Sequence, residues 1–226
     1  MAAEGALAAS PLQWSEISRH VWETQYRDAA AGERSIDATW SRVASAAASA
    51  DGGAGAADAG RAFHEILRGF RFLPGGRILA GAGTAAVRTL ANCFVMGPIG
   101  DSIEGIFTRL KESAVTMQWG GGIGCDFSTL RPSGATAQTS GSIASGPVSF
   151  MRIWDAMCGT LLSTGARRGA MMATLRCDHP DIEAFVNVKR EAGQLRNFNL
   201  SVQVTDEFMR ALAANEDWPL LFPREP

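Results

Sequence analysis

Apolar residues recur at helical spacing through roughly the first seventy positions, then fall into short runs separated by amphipathic stretches. Trp14, Ile17, Val21 and Gln25 share one face of a segment opened by Ser10-Pro11, a cap followed by a first helical position. Ile36, Trp40 and Val43 mark a second helix. Phe63, Ile66, Leu67 and Phe70 mark a third, which Leu73-Pro74-Gly75-Gly76 stops. Residues 44–60 form an Ala/Gly/Ser run centred on Gly52-Gly53. Alanine favours helix, but the glycines and the lack of large apolar side chains predict a loose surface connection.

From Leu90 the pattern alternates. Strands are predicted at 90–96, 123–127, 171–176, 198–204 and 219–222, with helices at 102–118, 147–162, 181–190 and 206–214. Ile103, Ile106, Phe107, Leu110, Ala114 and Met117 line one face of the first of these helices, and Asp101 with Glu104 reads as its capping box. The second opens at Ser145-Gly146-Pro147 and carries Phe150, Met151, Trp154, Met157 and Leu161. Such alternation predicts an α/β fold with a parallel sheet and packed helices. The chain divides on this reading into a helical region, 1–72, with a linker at about 44–60, and an α/β region, 73–226.

Composition narrows the classes. An apolar fraction of 46% and a charged fraction of 19% fit a globular soluble chain. The net charge of −2 supplies no basic field for nucleic acid, so phosphate binding must come from local arginines and main-chain amides. No apolar run reaches the length of a membrane span. Cys93, Cys125, Cys158 and Cys177 form no CxxC pair and no histidine stands at zinc-finger spacing, so no metal site is expected. Scattered thiols and an N-terminus without a signal-peptide pattern predict a reducing cytoplasm.

Three glycine-rich segments stand at element ends, where α/β domains present groups to ligands. They are Asn92-Cys93-Phe94 running into Gly100-Asp101-Ser102-Ile103, Trp119-Gly120-Gly121-Gly122-Ile123-Gly124, and Ser163-Thr164-Gly165-Ala166-Arg167-Arg168-Gly169. Taken alone, each has a plain structural role. Cys93 fills a core gap, Asp101 caps a helix, Arg131 is a solvated charge and Arg167-Arg168 an exposed basic turn. The Gly120–Gly124 run follows a helix and opens a strand, the reverse of a dinucleotide fingerprint, so turn geometry explains it as well. The histidines carry no signal; His179 reads as a helix-start residue.

In this order and spacing the segments closely resemble the large catalytic subunit of ribonucleotide reductase. Leu73-Pro74-Gly75-Gly76-Arg77-Ile78-Leu79 and Gly122-Ile123-Gly124-Cys125-Asp126-Phe127-Ser128-Thr129-Leu130-Arg131-Pro132 look most like its adenosylcobalamin-dependent branch, in its N-terminal part. The resemblance leaves the diiron branch open. It implies about five βα units forming the first half of a ten-stranded α/β barrel. It implies that Cys93 is one of two redox thiols that reduce the substrate's 2′-carbon, with Asn92, Gly121 and Gly122 beside the ribonucleotide. Asp101 and Arg131 would hold a deoxynucleoside triphosphate effector at a homodimer interface. Ser163, Thr164, Gly165, Arg167, Arg168 and Gly169 would form the specificity loop, with Arg168 foremost. A thioredoxin-like or dithiol reductant would restore the thiols.

The family's Asn-x-Cys-x-Glu segment, which holds the radical thiol and an acid/base glutamate, occurs nowhere in these 226 residues. The resemblance therefore implies that this chain alone reduces no ribonucleotide. The alternative is a non-catalytic effector-binding module or split subunit.

Overall fold

The structure is a computed structural model that describes residues 14–222 except 51, 52, 54, 86–88, 137–140, 142 and 163–170. It comprises two compact units, Met1–Ala91 and Asn92–Pro226.

In the first unit, α1 (Glu16–Val21) runs into a π-helical turn, Trp22–Tyr26, and is followed by α2 (Ile36–Ser49), α3 (Ala56–Leu67) and α4 (Gly76–Gly81). The helix expected to open at Ser10-Pro11 is instead capped by Ser15, whose hydroxyl accepts from the Ser18 amide. Most of the Ala-rich run is helical rather than loose: α2 continues to Ser49 and α3 begins at Ala56, while Asp51, Gly52 and Ala54 between them lie outside the described residues. The reason is tertiary. Ala44 and Ala48 are buried, and a Cβ placed on Gly60 would lie 3.6 Å from that of Ala48, so small side chains let the two helices pack closely. Beside them, Glu33 accepts from Arg42 Nε at 2.6 Å, the Thr39 hydroxyl at 2.7 Å and the Asp28 amide at 2.8 Å. Burial opposes the charge of Glu33, but these donors outweigh it and hold the carboxyl below its ordinary range.

The second unit is built on four parallel strands, β1 (Cys93–Val95), β2 (Gly122–Asp126), β3 (Met171–Arg176) and β4 (Phe198–Gln203), in the order β1-β2-β3-β4. Helices α5 (Ile103–Gln118), α6 (Pro147–Leu162) and α7 (Ile182–Asn187) connect them, and α8 (Asp206–Ala214) follows. Alternate strand residues face opposite ways. Ile123, Cys125, Met171, Ala173, Leu175 and Phe198 are buried on one face with Ile106 and Met117 of α5 and Met151, Trp154 and Cys158 of α6. The other face carries Cys93 and Val95, with Gly122 and Gly124 across the register, then Met172 and Asn199. Val95 is 94% exposed and Met172 42%, so this face of the sheet is open.

Four strands stand where five were expected. Residues 219–222 form no strand: Pro219 has no N–H to give, and the segment is tied to the turn after β3 instead. The Leu221 amide donates to the Asp178 carbonyl (2.7 Å), Trp218 Nε1 to that of Cys177 (3.1 Å), and the Phe222 ring meets His179 edge-on. Among the described residues no helix is long and apolar enough to cross a membrane, and no cluster of His, Cys, Asp and Glu fits a metal ion.

Candidate functional site

The expected site residues gather at opposite ends of the sheet. At the N-terminal end, Cys93 pairs in register with Gly122, and the Asn92 carbonyl accepts from the Gly122 amide at 2.8 Å. Gly120 takes the turn's positive φ of 90°. Gly121 lies against Phe94, the residue after Cys93, and its amide donates to the Thr116 carbonyl at 3.0 Å. Asn92, Cys93, Gly121 and Gly122 are therefore one cluster. The two glycine amides are already engaged, so these positions offer a ligand bare main chain rather than free N–H donors.

Among the described residues, which include all four cysteines, only Cys93 is exposed. Burial pushes the Cys125 thiol up to about 11, although the Ser113 hydroxyl and the Arg109 charge pull the other way. Burial and then the Asp155 carboxylate raise Cys158. Thiolate chemistry needs access, which favours the exposed Cys93. Its surroundings correct the reading of a cysteine filling a core gap.

At the C-terminal end, Asp101 and Arg131 meet. Arg131 donates from Nε to Asp101 Oδ2 (2.8 Å), from its amide to Oδ1 (3.2 Å) and from Nη2 to the Asp101 carbonyl (3.1 Å). Asp101 is thus not the cap of α5. Ser102 is, accepting from the Gly105 amide at 3.0 Å, and the capping-box geometry with Glu104 does not form. One residue's shift frees the carboxylate to hold Arg131 on the next loop.

Residues that sequence reasoning passed over complete this end. Asp126 Oδ1 accepts from the Ser128 amide and hydroxyl (3.0 and 2.6 Å) and from the Thr174 hydroxyl across the register (3.3 Å). Gln203 extends the chain to Thr174 at 2.7 Å. Arg176 forms a bidentate pair with Asp178, and that pairing raises the guanidinium's pKa further. The only sequence signal for this group was polar residues ending apolar strands. His179, expected at the helix start, stands instead in the turn before α7, whose N-cap is Asp181; it is buried and bonded across to Leu130. Ser163, Thr164, Gly165, Arg167, Arg168 and Gly169 lie outside the described residues. Met171, which follows them, pairs with Ile123 beside Gly122.

The family described as the ribonucleotide reductase barrel domain matches residues 91–226. The chain is 46% identical over 163 residues to a vitamin B12-dependent ribonucleoside-diphosphate reductase of Mycobacterium tuberculosis (strain CDC 1551 / Oshkosh), covering 72% of this chain and 23% of that protein. It is 42% identical over 163 residues to the protein of that name from Thermoplasma acidophilum, covering 72% and 21%. To a vitamin B12-dependent ribonucleotide reductase of Streptomyces clavuligerus it is 39% identical over 162 residues, covering 61% and 17%. The aligned part is thus about a fifth of the length of these relatives, from 17% to 23%. The match of the family model across the whole second unit, more than half of the chain, establishes that the chain belongs to the ribonucleotide reductase barrel-domain family.

Proposed function

We propose that this chain is the part of a vitamin B12-dependent ribonucleotide reductase that carries the first reducing thiol and the effector loops. The observation that carries the reading is Cys93, the one exposed thiol among the described residues, set beside the bare main chain of Gly122 on the open face of the sheet. Replacing the ribose 2′-hydroxyl by hydrogen takes two electrons and two protons: two thiols become one disulfide, and the hydroxyl leaves as water. Cys93 is one of those thiols. The burial of Cys125, Cys158 and Cys177 supports a partner outside these residues. Asn92, Gly121 and Gly122 border the ribonucleotide by shape. A thioredoxin-like or small dithiol returns the disulfide to thiols.

The four-stranded parallel sheet is, on this reading, part of the first half of a ten-stranded barrel, whose remaining strands cover its open face. Asp101 and Arg131 hold a deoxynucleoside triphosphate, and residues 163–169 couple it to the choice of substrate base, with Arg168 foremost and Arg167 beside it. Ile103, Phe107 and Val115 remain exposed on α5, which supports a homodimer contact there. A cobalamin, implied by the relatives' names and read here as adenosylcobalamin, would supply the radical that opens the reaction. Within the second unit the one histidine, His179, is buried with both nitrogens engaged, and Cys93 and Val95 are exposed, so the described residues of that unit do not by themselves fit a corrinoid. No step is derived through it.

The test is Cys93→Ser in the enzyme that contains this chain, with a dithiol as reductant. Multiple turnover is expected to be lost. Turnover near the wild-type rate would overturn the assignment.

A further inference from the structure

The structure assigns to His179 the role of a positioning residue: from the turn between β3 and α7 it fixes the peptide plane through which Arg131 engages Asp101. The functional consequence rests on the effector reading of Asp101 and Arg131 given above; the geometry does not.

The imidazole is 2% exposed and uses both nitrogens. Nδ1 accepts from the Asp181 amide at 3.0 Å, and Nε2 lies 2.9 Å from the Leu130 carbonyl. A main-chain N–H can only donate and a carbonyl can only accept, so the ring is neutral with its proton on Nε2. The Leu130 carbonyl and the Arg131 amide belong to one planar, trans peptide unit and point in opposite directions. His179 holds the carbonyl end, while Asp101 Oδ1 accepts from the amide end at 3.2 Å. Turning that plane breaks both bonds together.

The neighbouring residues are held as well. The Thr129 hydroxyl donates to the Ile99 carbonyl (2.7 Å), and the Ser133 amide donates to the Asp181 carboxylate (2.9 Å). The segment carrying Arg131 is thus tied to the loop after β1 on one side and to Asp178-His179-Pro180-Asp181 on the other. When Asp101 exchanges Arg131 for a nucleotide, His179 still aims the Arg131 amide at the same point.

The test compares His179→Asn and His179→Gln by amide hydrogen exchange and by equilibrium binding of dTTP. An Asn side chain can accept from the Asp181 amide but does not reach Leu130; a Gln side chain places a donor near the position of Nε2. In the Asn variant, exchange at Arg131 should quicken and the dTTP Kd should rise, each about tenfold, the equivalent of one lost hydrogen bond. Core amides such as Leu175 should exchange as in the wild type. The Gln variant should recover most of both losses. Unchanged Arg131 exchange in the Asn variant, or no recovery with Gln, overturns the proposal. If the wild-type protein binds no dTTP, the effector reading fails while the exchange data still decide the positioning role. Should the variants not fold, the wild-type ring decides by its nitrogen spectrum: a proton on Nδ1, or on both nitrogens at pH 7, contradicts the geometry.

Discussion

Gly121 is where the packing of the site can be tested most sharply. A Cβ there would lie 2.7 Å from Cδ2 and Cε2 of the Phe94 ring and 3.0 Å from Cγ2 of Thr116. Carbon atoms settle at about 3.5–4.0 Å, so Gly121→Ala forces the ring and the last turn of α5 apart by roughly 1 Å. Overpacking of this kind costs about 1–3 kcal/mol. Loss of glycine's freedom in the unfolded chain offsets about 0.4–1 kcal/mol. The net expectation is destabilisation by roughly 1–2 kcal/mol. Gly124→Ala is the internal control. Its Cβ would meet nothing within 4 Å and its φ is not left-handed, so it should be neutral or stabilised by up to about 1 kcal/mol. All four cysteines lie in the second unit and three are buried, so pulsed thiol labelling across a urea titration reports on that unit alone. Labelling of Cys125, Cys158 and Cys177 should shift to lower urea in the Gly121 variant and not in the Gly124 variant. Equal midpoints, or the reverse order, would refute the packing argument.

In native buffer Cys93 should label fast and the other three slowly, with Cys125 slowest because burial lifts its thiol to about 11; a second fast site by mass spectrometry counts against the assignment. Glu33 has a depressed folded pKa, so its contribution is complete above about 4.5, its unfolded value, and is lost as pH falls through the folded value. Glu33→Gln should flatten the acid limb of the first unit's stability and cost about 1.5–3 kcal/mol at pH 7, because the half-buried Arg42 keeps its bonds to the Tyr26, Leu79 and Ala82 carbonyls but loses its charged acceptor. Asp101→Ala should weaken dTTP binding without uncapping α5, whereas Arg168→Ala should leave that binding intact and blur the choice of base; unchanged base preference with every effector removes the role given to Arg168.

The helices and strands with strong periodicity were legible. Helices 147–162 and 206–214 and the strand at 171–176 have the residues expected, because each repeats its apolar spacing over its whole length. The Ala-rich run was misread because the signal for helix lies in Ala44 and Ala48 meeting α3, a contact that composition does not contain. Asp101 was misread because Asp101 and Ser102 are both competent caps, and only the fold decides which one turns toward the helix. The exposure of Cys93 was not legible, because a lone cysteine ending an apolar strand reads as a core residue. The pairings that build the other end of the sheet join residues 30 and 49 positions apart, Asp101 with Arg131 and Leu130 with His179, and no local pattern announces them.

On the proposed function, Cys93 gives its electrons to the nucleotide. The most direct measurement is a single turnover of the enzyme containing this chain, with ribonucleotide and no external reductant, followed by peptide mapping of its thiols. Cys93 should be recovered in a disulfide, in proportion to the deoxynucleotide formed, while Cys125, Cys158 and Cys177 stay reduced. Deoxynucleotide formed with Cys93 still a free thiol would contradict it.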